Sequence, residues 1–349
     1  MEPILPWPRP ILSLLEACWR GVIGIDRWRH QRRERSGEWP LKLPVPVVSI
    51  GNIAVGGTGK TPITEALARH WLQRGGRPGI VSRGYRGGPE GNDEFAMLRR
   101  ALPEVPHQQH RCRHAAGTRL LEEHPDTDLI LVDDGFQHRR LHRDVDLVLL
   151  DALEPLAGGH CLPLGRLREP WRQLARADHL ILTGAQRCVD VQLSQSVGFL
   201  RQWFPGIPRS LASTRLADVR VLCGEDRTTP DPAIPVLGFC GIGTPDSFRD
   251  SLVEGGWNLC AWRSLADHHR YSTRDLERLS RAAISAGAQA LVCTAKDAPK
   301  IERLLASGYN CQLPILVQEM QISLDVGPIL AGIDASTASG TRETSAPSC

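Results

Sequence analysis

The stretch SIGNIAVGGTGKTP, residues 49–62, decides the fold of this chain. It follows the apolar run VPVVSI (45–50) and precedes a stretch with helical spacing from Ile63 to Arg74. A glycine-rich loop between a buried strand and a helix is the setting of a phosphate-binding loop, or P-loop. The sequence therefore predicts an α/β domain that binds a nucleotide.

The residues of this loop match the chemistry of phosphate binding. Its glycines let successive backbone N–H groups curl around a phosphate, and the helix beginning near Pro62 adds its positive dipole end. We expect Lys60 to reach the β- and γ-phosphates and the Thr61 hydroxyl to join a Mg²⁺ shell. The strict motif has Gly where Ala54 stands, so the chain meets the looser form. The predicted nucleotide-binding residues are Gly56, Gly57, Thr58, Gly59, Lys60 and Thr61.

Two related classes of P-loop protein fit less well. Partition-type ATPases carry an additional Lys before the paired glycines, where this chain has Val55. GTPases read guanine with Asn-Lys-x-Asp or Thr-Lys-x-Asp, whereas TAKD (294–297) places Lys296 directly beside Asp297. The sequence therefore favours ATP over GTP.

Short apolar runs separated by helical stretches recur along the chain. They are nearly continuously apolar, which is typical of strands buried on both faces of a parallel sheet. The predicted strands are 45–50, 78–82, 128–133, 146–151 and 179–184, followed by 236–243, 290–295 and 314–319. This pattern predicts a P-loop NTPase-type, doubly wound, mostly parallel α/β sheet with a second, smaller α/β domain.

At 349 residues the chain is long enough for two domains. Changes in composition divide it into five predicted segments. These are an amphipathic region (1–35), the P-loop core (36–215), a hairpin or linker (216–235), a second α/β lobe (236–335) and a disordered polar tail (336–349).

Composition excludes several classes of protein. The chain is 41% hydrophobic and 23% charged, as in soluble globular proteins, and it lacks an apolar run that could span a bilayer. We expect no secretory signal, and ten cysteines without a C-x-x-C pair indicate reduced thiols in the cytosol. A net charge of +3 gives no reason to expect a nucleic-acid partner.

Residues 1–35 combine apolar residues at helical spacing with many arginines. The apolar positions are Leu12, Leu14, Leu15, Trp19, Val22, Ile23 and Trp28. A helix of this kind can lie in a membrane interface. It can equally pack on the core of its own protein, and the spacing leaves both interpretations open.

An acidic pair follows the strand at 128–133. In LILVDDGFQHRRLHRD (129–144), Asp133 and Asp134 stand at the carboxyl end of that strand, where the ligand sites of α/β proteins gather. Asp-Asp-Gly is also good turn chemistry. Because a P-loop needs a second carboxylate to hold its metal, we predict that this pair binds Mg²⁺.

Three further segments carry side chains that suit an acceptor substrate. Asp93 in GNDEF (91–95) could accept a hydroxyl proton. An acidic pair such as Asp93 and Glu94 is, however, commonly part of a solvated loop. His268 in LADHHRYS (265–272) stands in an Asp-His-His cluster that spacing alone assigns to the surface. SRGYRGG (82–88) could grip a phosphate or a sugar, or simply be a turn. The predicted substrate residues of that loop are Ser82, Arg83, Gly84 and Tyr85.

Arginine supplies nearly all of the positive charge, and the lysines are Lys42, Lys60, Lys296 and Lys300. In such a chain a retained Lys can mark a place that needs a compact ammonium group. Chance retention is an equally good interpretation for Lys296 and Lys300.

Several segments, taken together and in chain order, resemble one family, the tetraacyldisaccharide 4′-kinases of lipid A biosynthesis. After the amphipathic N-terminus, the matching segments are GNIAVGGTGKTP, SRGYRGG, NDEF, LVDDGFQHRRLHRDVDLVLLDA, LPLGRLREP, GFCGIGTPDSF, LADHHRYS and TAKDAPK. The combination covers most of the chain and is more specific than any of its parts. Asn92, Phe95 and Arg166 depart from the residues usual in the family, which are Gly, Pro and Pro.

The resemblance implies transfer of the γ-phosphate of ATP, with Mg²⁺, to the 4′-hydroxyl of an acylated glucosamine disaccharide 1-phosphate, giving lipid IVA. It implies Asp93 as the catalytic aspartate and His268 as a helping histidine. It also implies a peripheral location on the cytoplasmic face of the bacterial inner membrane, with the N-terminal helix on the membrane surface. A kinase for a soluble hydroxyl substrate and an ATPase switch that phosphorylates nothing remain alternatives.

Overall fold

The structure, a computed structural model, describes residues 7–84, 93–224, 231 and 233–340, without the side chains of residues 93 and 337–340. The chain divides into two compact units. The first takes residues 1–86, 98–213 and 323–349, and the second takes residues 87–97 and 214–322. Residues 87–97, which the sequence analysis counted with the P-loop core, thus belong to the second unit.

The first unit is built on a parallel sheet with the strand order β3-β2-β4-β1-β5-β6-β7. Its strands are β1 (Val47–Asn52), β2 (Pro78–Ser82), β3 (His107–Gln109), β4 (Leu129–Asp133), β5 (Val145–Asp151), β6 (His179–Thr183) and the first part of β7 (Arg209–Cys223), which is counted with the second unit from residue 214 onward. β1 lies between β4 and β5, with Ser49 paired to Val132 on one side and Asp146 on the other. The chain moves outward from β1 in both directions, which confirms the doubly wound, mostly parallel fold.

Five of the predicted strands form this sheet, each within two residues of its predicted bounds. β1, β2, β4 and β6 are buried along their whole length, and β5 is buried except at its last residue. Burial on both faces explains why their sequences are apolar runs and do not alternate. The short β3 has half-buried polar residues, so the hydrophobic pattern gave no signal for it.

Helices cover the first unit. They are α1 (Arg9–Arg35), α2 (Lys60–Gln73), α3 (Asp93–Ala101, of which residues 93–97 are counted with the second unit), α4 (Arg113–Glu123), α5 (Asp190–Trp203) and α9 (Gly327–Gly340), with 3₁₀ turns at Trp171–Arg176 and Ala185–Arg187. α9 continues past the predicted start of the disordered tail at residue 336. It buries Ile329 and Ile333, and the Ser336 hydroxyl donates to the carbonyl of Asp144 at 3.1 Å. Residues 341–349 of the predicted tail lie outside the described residues.

The second unit is a smaller α/β structure with the strand order β11-β10-β8-β9. Its strands are β8 (Val236–Cys240), β9 (Leu259–Ser264), β10 (Ala290–Thr294) and β11 (Ile315–Leu324), and its helices are α6 (Pro245–Glu254), α7 (Thr273–Ser285) and α8 (Ala298–Ala306). β8, β10 and β11 pair in parallel, and β9 is parallel to β8. A second α/β domain is therefore confirmed. The segment 216–235, predicted as a hairpin or linker, contains the end of β7.

α1 has two different sides. One side is attached to the first unit: Leu12 is fully buried, the Glu16 carboxylate accepts the backbone N–H of Cys161 at 2.8 Å, and the Trp19 indole donates to the Arg168 carbonyl at 3.1 Å. The other side exposes a stripe of apolar residues at helical spacing. The stripe consists of Trp7, Ile11, Leu14, Val22, Ile25 and Trp28. Packing on the chain's own core therefore describes the attached side, and membrane contact of the exposed stripe stays a prediction. Among the helices of the described residues, none is both long and apolar enough to cross a membrane.

Candidate active site

The P-loop joins β1 to α2 and is held by side chains at its base. Gly59, with a left-handed φ of 78°, directly precedes α2, and Gly56 has a φ of 124°. Backbone of this kind favours glycine because other residues are strained there. The buried Asn52 donates from its amide to the Thr58 hydroxyl at 2.8 Å. These contacts fix where the loop leaves the strand and where it enters the helix.

A second segment, residues 161–168, braces the P-loop from the side. The Val55 N–H donates to the Arg166 carbonyl at 2.8 Å, and the Arg168 N–H donates to the Ile53 carbonyl at 2.7 Å. The Arg166 guanidinium also donates to the Val55 carbonyl at 3.3 Å. Sequence reasoning identified Arg166 only as a departure from the family pattern. It missed this bracing because long-range backbone pairing leaves no local signature.

The acidic pair stands at the end of β4, close to the P-loop lysine. Asp133 is 2% exposed, and Asp134 follows it with a left-handed φ of 55°. One oxygen of Asp134 lies 3.6 Å from the Lys60 ammonium, and both oxygens accept from one Arg168 nitrogen at 2.9 and 3.0 Å. The structure thus brings Lys60 and the acidic pair together, as the sequence suggested.

Charge pairing sets the ionisation of Asp134. Burial opposes its ionisation, but the neighbouring Lys60 and Arg168 outweigh burial and lower its pKa below the ordinary value of 3.8. The buried Arg113 adds a hydrogen bond to the Asp134 carbonyl at 3.3 Å. Asp134 is therefore a carboxylate at neutral pH, held by three basic residues.

A buried carboxylate, Glu169, ties the segments DDGFQ (133–137) and LREP (167–170) together. Its oxygens accept from Arg176 at 2.9 and 3.0 Å and from the Gln137 amide at 3.0 Å. The same Gln137 amide donates to the Asn52 carbonyl at the end of β1, at 2.7 Å. Sequence reasoning did not assign roles to Gln137, Arg168 or Glu169. Their only signal was that DDGFQHRRLHRD and LREP are not general features of P-loop proteins.

The loop after β2 is described only in part. The Ser82 hydroxyl is buried between the His107 ring, at 2.9 Å, and the Gln109 amide, at 3.0 Å. Burial, together with the nearby Arg99, lowers the pKa of His107 to about 3, so this ring is neutral. Arg83 is exposed, and Gly84 has a left-handed φ of 69°. Tyr85 lies outside the described residues.

The two residues proposed for proton transfer both belong to the second unit. Asp93 begins α3, and its side chain is not described. His268 has a left-handed φ of 59°, and its Nε2 lies 3.4 Å from the Lys296 ammonium. Lys296 also lies 3.3 Å from the Asp267 carboxylate. Lys296 thus has a specific place beside the histidine.

The backbone around His268 is anchored on a buried acid. Asp297 is fully buried and accepts from the Thr294 hydroxyl at 2.7 Å and from the Gly241 N–H at 3.0 Å. Gly241 in turn accepts the N–H of His268 at 3.1 Å. The Lys300 ammonium lies 3.6 Å from Asp297 and is itself nearly buried. Both lysines of TAKDAPK therefore take part in a defined arrangement, and a specific need for an ammonium group stays a prediction.

With this geometry, comparison with known proteins identifies the family. A model of the tetraacyldisaccharide-1-P 4′-kinase family matches residues 8–335. The chain belongs to the tetraacyldisaccharide 4′-kinase family. The family resemblance seen in the sequence is thus confirmed over nearly the whole chain.

Individual relatives agree with the family model. The chain is 38% identical to the tetraacyldisaccharide 4′-kinase of Geobacter metallireducens, over 84% of this chain and 88% of that protein. It is also 38% identical to the enzyme of the same name from Chromobacterium violaceum, over 85% and 86%. A crystal structure of LpxK from Aquifex aeolicus, described as an "apo" form in complex with ATP, covers 94% of this chain and 99% of its own, with a TM-score of 0.69 and 25% identity.

The ion pairs of Asp134 predict a pH dependence of stability. Because the folded pKa lies below 3.8, the carboxylate stabilises the fold above that value and loses this contribution as pH falls through the folded pKa. We expect the free energy of unfolding to fall further for the wild type than for Asp134→Asn between about pH 6 and about pH 3. The difference at neutral pH should be roughly 1 kcal/mol, since the carboxylate is partly exposed.

Denaturant unfolding across this pH range measures the effect, with Asp126→Asn as the control. Asp126 pairs with Arg77, but both side chains are well exposed, so its removal should leave the pH profile unchanged. Parallel profiles for wild type and Asp134→Asn would mean that Lys60 and Arg168 do not stabilise the charged carboxylate.

Proposed function

We propose that this chain is an ATP-dependent kinase that phosphorylates the 4′-hydroxyl of an acylated glucosamine disaccharide 1-phosphate, giving lipid IVA. The observation that carries the proposal is the P-loop, with Lys60 beside Asp134, in a chain that belongs to the tetraacyldisaccharide 4′-kinase family. Family membership supplies the acceptor, and the loop supplies the means to hold the donor.

ATP is the donor because the loop and the relatives agree. We expect backbone N–H groups from Gly56 to Thr61 to donate to phosphate oxygens at the start of α2, where the helix dipole also favours negative charge. The Aquifex aeolicus structure is described as a complex with ATP and covers 94% of this chain. Lys60 is already held near the loop by its pair with Asp134, so it needs little reorganisation to reach a phosphate.

The residues around the loop fit a Mg²⁺ ion. Asp133 and Asp134 supply carboxylate oxygens and Thr61 supplies a hydroxyl, which are the hard oxygen ligands that Mg²⁺ prefers. Asp134 is engaged by Lys60 and Arg168, and we propose that Asp133 and Asp134 hold the ion as a pair. When bound, the ion would neutralise charge on the phosphates.

Asp93 and His268 are proposed for the acceptor side. Asp93 would take the proton of the 4′-hydroxyl, and His268 would orient or polarise that carboxylate. The proposal rests on the family motifs and on the placement of both residues in the second unit. The Lys296 ammonium beside Nε2 and the Asp297–Gly241 anchor would restrict the position of His268.

Contacts to the sugar are proposed for the loop that follows β2. Ser82 is held within the sheet by His107 and Gln109, so it would support the loop and reach substrate only if those bonds changed. Arg83 is exposed at the carboxyl end of β2 and would be the first to meet an anionic or hydroxylated ligand. Gly84 and Tyr85 are proposed with it from the sequence.

We propose that α1 rests on the cytoplasmic face of the bacterial inner membrane. Its exposed stripe would enter the interface, while Leu12, Glu16 and Trp19 keep the helix on the first unit. Arginines fill its last turn, as suits an anionic membrane surface. The enzyme would then meet its acylated substrate at the membrane that contains it.

Phosphate transfer tests the function directly. We expect labelled γ-phosphate to pass from Mg-ATP to the acylated disaccharide 1-phosphate in mixed micelles. Lys60→Ala should lower kcat/KM roughly 10²- to 10³-fold because it removes a charge that stabilises the transferring phosphate. Lys42→Ala, which removes an exposed lysine of the same unit, is the matched control and should react like wild type. ATP binding without transfer to this lipid would favour a soluble acceptor or a switch.

A double-mutant cycle tests the acceptor-side pair. Asp93→Asn should lower kcat roughly 10²- to 10⁴-fold, the usual worth of a general base. If His268 acts through Asp93, His268→Gln should cost much less in the Asp93→Asn background than in the wild type. His269→Gln is the neighbouring control, since its ring contacts Asp275. Fully additive losses of kcat would mean that His268 does not act through Asp93.

The exposed stripe of α1 can be tested without disturbing the attached side. Leu14→Ser/Val22→Ser/Ile25→Ser should lower binding to lipid vesicles at least about tenfold, because three apolar side chains no longer enter the interface. KM for ATP should stay unchanged. Val189→Ser/Val191→Ser, which alters two exposed valines elsewhere on the first unit, should bind vesicles like wild type. Equal vesicle binding by both variants would rule out the stripe as the contact.

A further inference from the structure

A cavity of about 230 Å³ lies in the first unit beside the last turns of α1. Its walls are basic and aromatic, and they are formed by His30, Trp39, Arg139, His142, Arg143 and Arg176, among others. The P-loop and the acidic pair do not line it. It is built instead from the second half of DDGFQHRRLHRD, whose RRLHR portion has no part in the site described above.

Three guanidinium groups line this cavity, those of Arg139, Arg143 and Arg176. Arg139 and Arg176 share one carboxylate, Glu169, with Arg139 at 3.4 Å and Arg176 at 2.9 Å. Arg143 is paired with Asp146 at 2.9 Å. Glu34 is the only carboxylate in the described lining itself. Three arginines are thus held close together, and two of them share a single carboxylate.

The ionisation of neighbouring groups reflects burial and the nearby arginines. Burial is the main reason why the pKa of Arg176 is lowered to about 10; Arg139 and Arg143 act in the same direction, and Glu169 and Asp146 oppose it. Burial lowers the pKa of His138 to about 3, with Arg113 and Arg143 adding to the effect. Within the described chain, Arg176 Nε and His138 Nε2 are buried without a hydrogen-bond partner.

Further basic side chains contact an aromatic ring at the edge of the cavity. Trp39 is contacted by the guanidinium groups of Arg33, at 4.4 Å, and Arg140, at 4.7 Å, and by the His30 ring at 4.9 Å. Arg33 belongs to the last turn of α1, together with Arg32 and Arg35. The cavity therefore lies where the membrane-facing helix of the proposed function ends in basic residues.

We propose that this cavity binds the phosphate group of a lipid. Guanidinium groups match phosphate oxygens in geometry as well as charge, and several of them converge here. The volume is below the roughly 300–1,000 Å³ usual for whole small-molecule ligands, so it suits a head-group phosphate whose sugar or acyl chains remain outside. The placement of the cavity at head-group depth rests on the proposed membrane contact of α1.

Two lipids could supply this phosphate. One is the disaccharide substrate, which carries a 1-phosphate away from the hydroxyl that reacts. The other is an anionic phospholipid of the membrane, which would orient the enzyme on the surface. The recognition chemistry is the same for both, and the experiment separates them.

Arg139→Gln is the informative variant. Both side-chain hydrogen bonds of Arg139, to Glu169 and Gln173, are long at 3.4 Å, so its loss should disturb the fold least among the three arginines. Arg172→Gln is the matched control, because Arg172 is exposed and stacks on Trp171 and Trp203, outside the described lining. Arg139→Lys keeps the positive charge but removes the planar guanidinium group that can donate two parallel hydrogen bonds. His142→Gln, a second change in the lining, serves if Arg139→Gln unfolds at a lower temperature than wild type.

The first arm measures binding of the full-length protein to phosphatidylcholine vesicles with and without phosphatidylglycerol, at about 0.15 M salt to screen diffuse attraction. The second arm measures KM for the 1-phosphorylated substrate and for ATP in neutral detergent micelles. If the cavity binds a membrane phospholipid, Arg139→Gln should bind roughly tenfold more weakly to vesicles that contain phosphatidylglycerol, and its binding to pure phosphatidylcholine vesicles should not change. The substrate phosphate predicts a roughly tenfold higher lipid KM with an unchanged KM for ATP. Arg139→Lys should recover part of either loss.

Wild-type behaviour of Arg139→Gln and His142→Gln in both arms would overturn the proposal and leave the cavity as an internally paired charge cluster. Equal losses for Arg172→Gln would also overturn it, since they would reflect net charge. The vesicle arm needs no turnover. It therefore tests a membrane-lipid site even if the wild type transfers no phosphate, which is the outcome that would reject the proposed function.

Discussion

The placement of β1 between β4 and β5 is the constraint on which the functional part of the molecule depends. Because all three strands run parallel, the loop after Asn52 and the acidic pair after β4 emerge at the same edge of the sheet. The order of the strands therefore brings Lys60 and Asp134 close enough to attract each other. Segments distant in sequence, including residues 161–168 and the LREP stretch, are fixed by their contacts to this edge.

The sequence predicted those parts of the molecule whose signals are local. The buried strands appear as apolar runs, and the P-loop appears as glycines between a strand and a helix, so both could be read without the fold. Gln137, Arg166 and Glu169 could not, because each acts through a partner about 30 or more residues away. Asp297 was judged only as part of an imperfect GTPase motif, and its full burial beneath Gly241 depends on how β8 and β10 pair.

α1 illustrates a different limit of sequence reasoning. Its apolar residues were treated as one set, yet the structure divides them between a side attached to the first unit and an exposed stripe. The buried Glu16, which accepts from Cys161 and lies near His160, is a polar residue on the attached side. Hydrophobic periodicity alone cannot distinguish two apolar faces of one helix, because both repeat with the same period.

The pairing of the P-loop with residues 161–168 also bears on how this site can change in evolution. A side chain at position 56 would have its Cβ 2.9 Å from the Arg166 guanidinium, and the backbones of residues 53–55 and 166–168 are joined by hydrogen bonds. The two segments are therefore held side by side mainly through their backbones. A residue larger than glycine at position 56 would require the Arg166 guanidinium to move, so in evolution these two positions should change together.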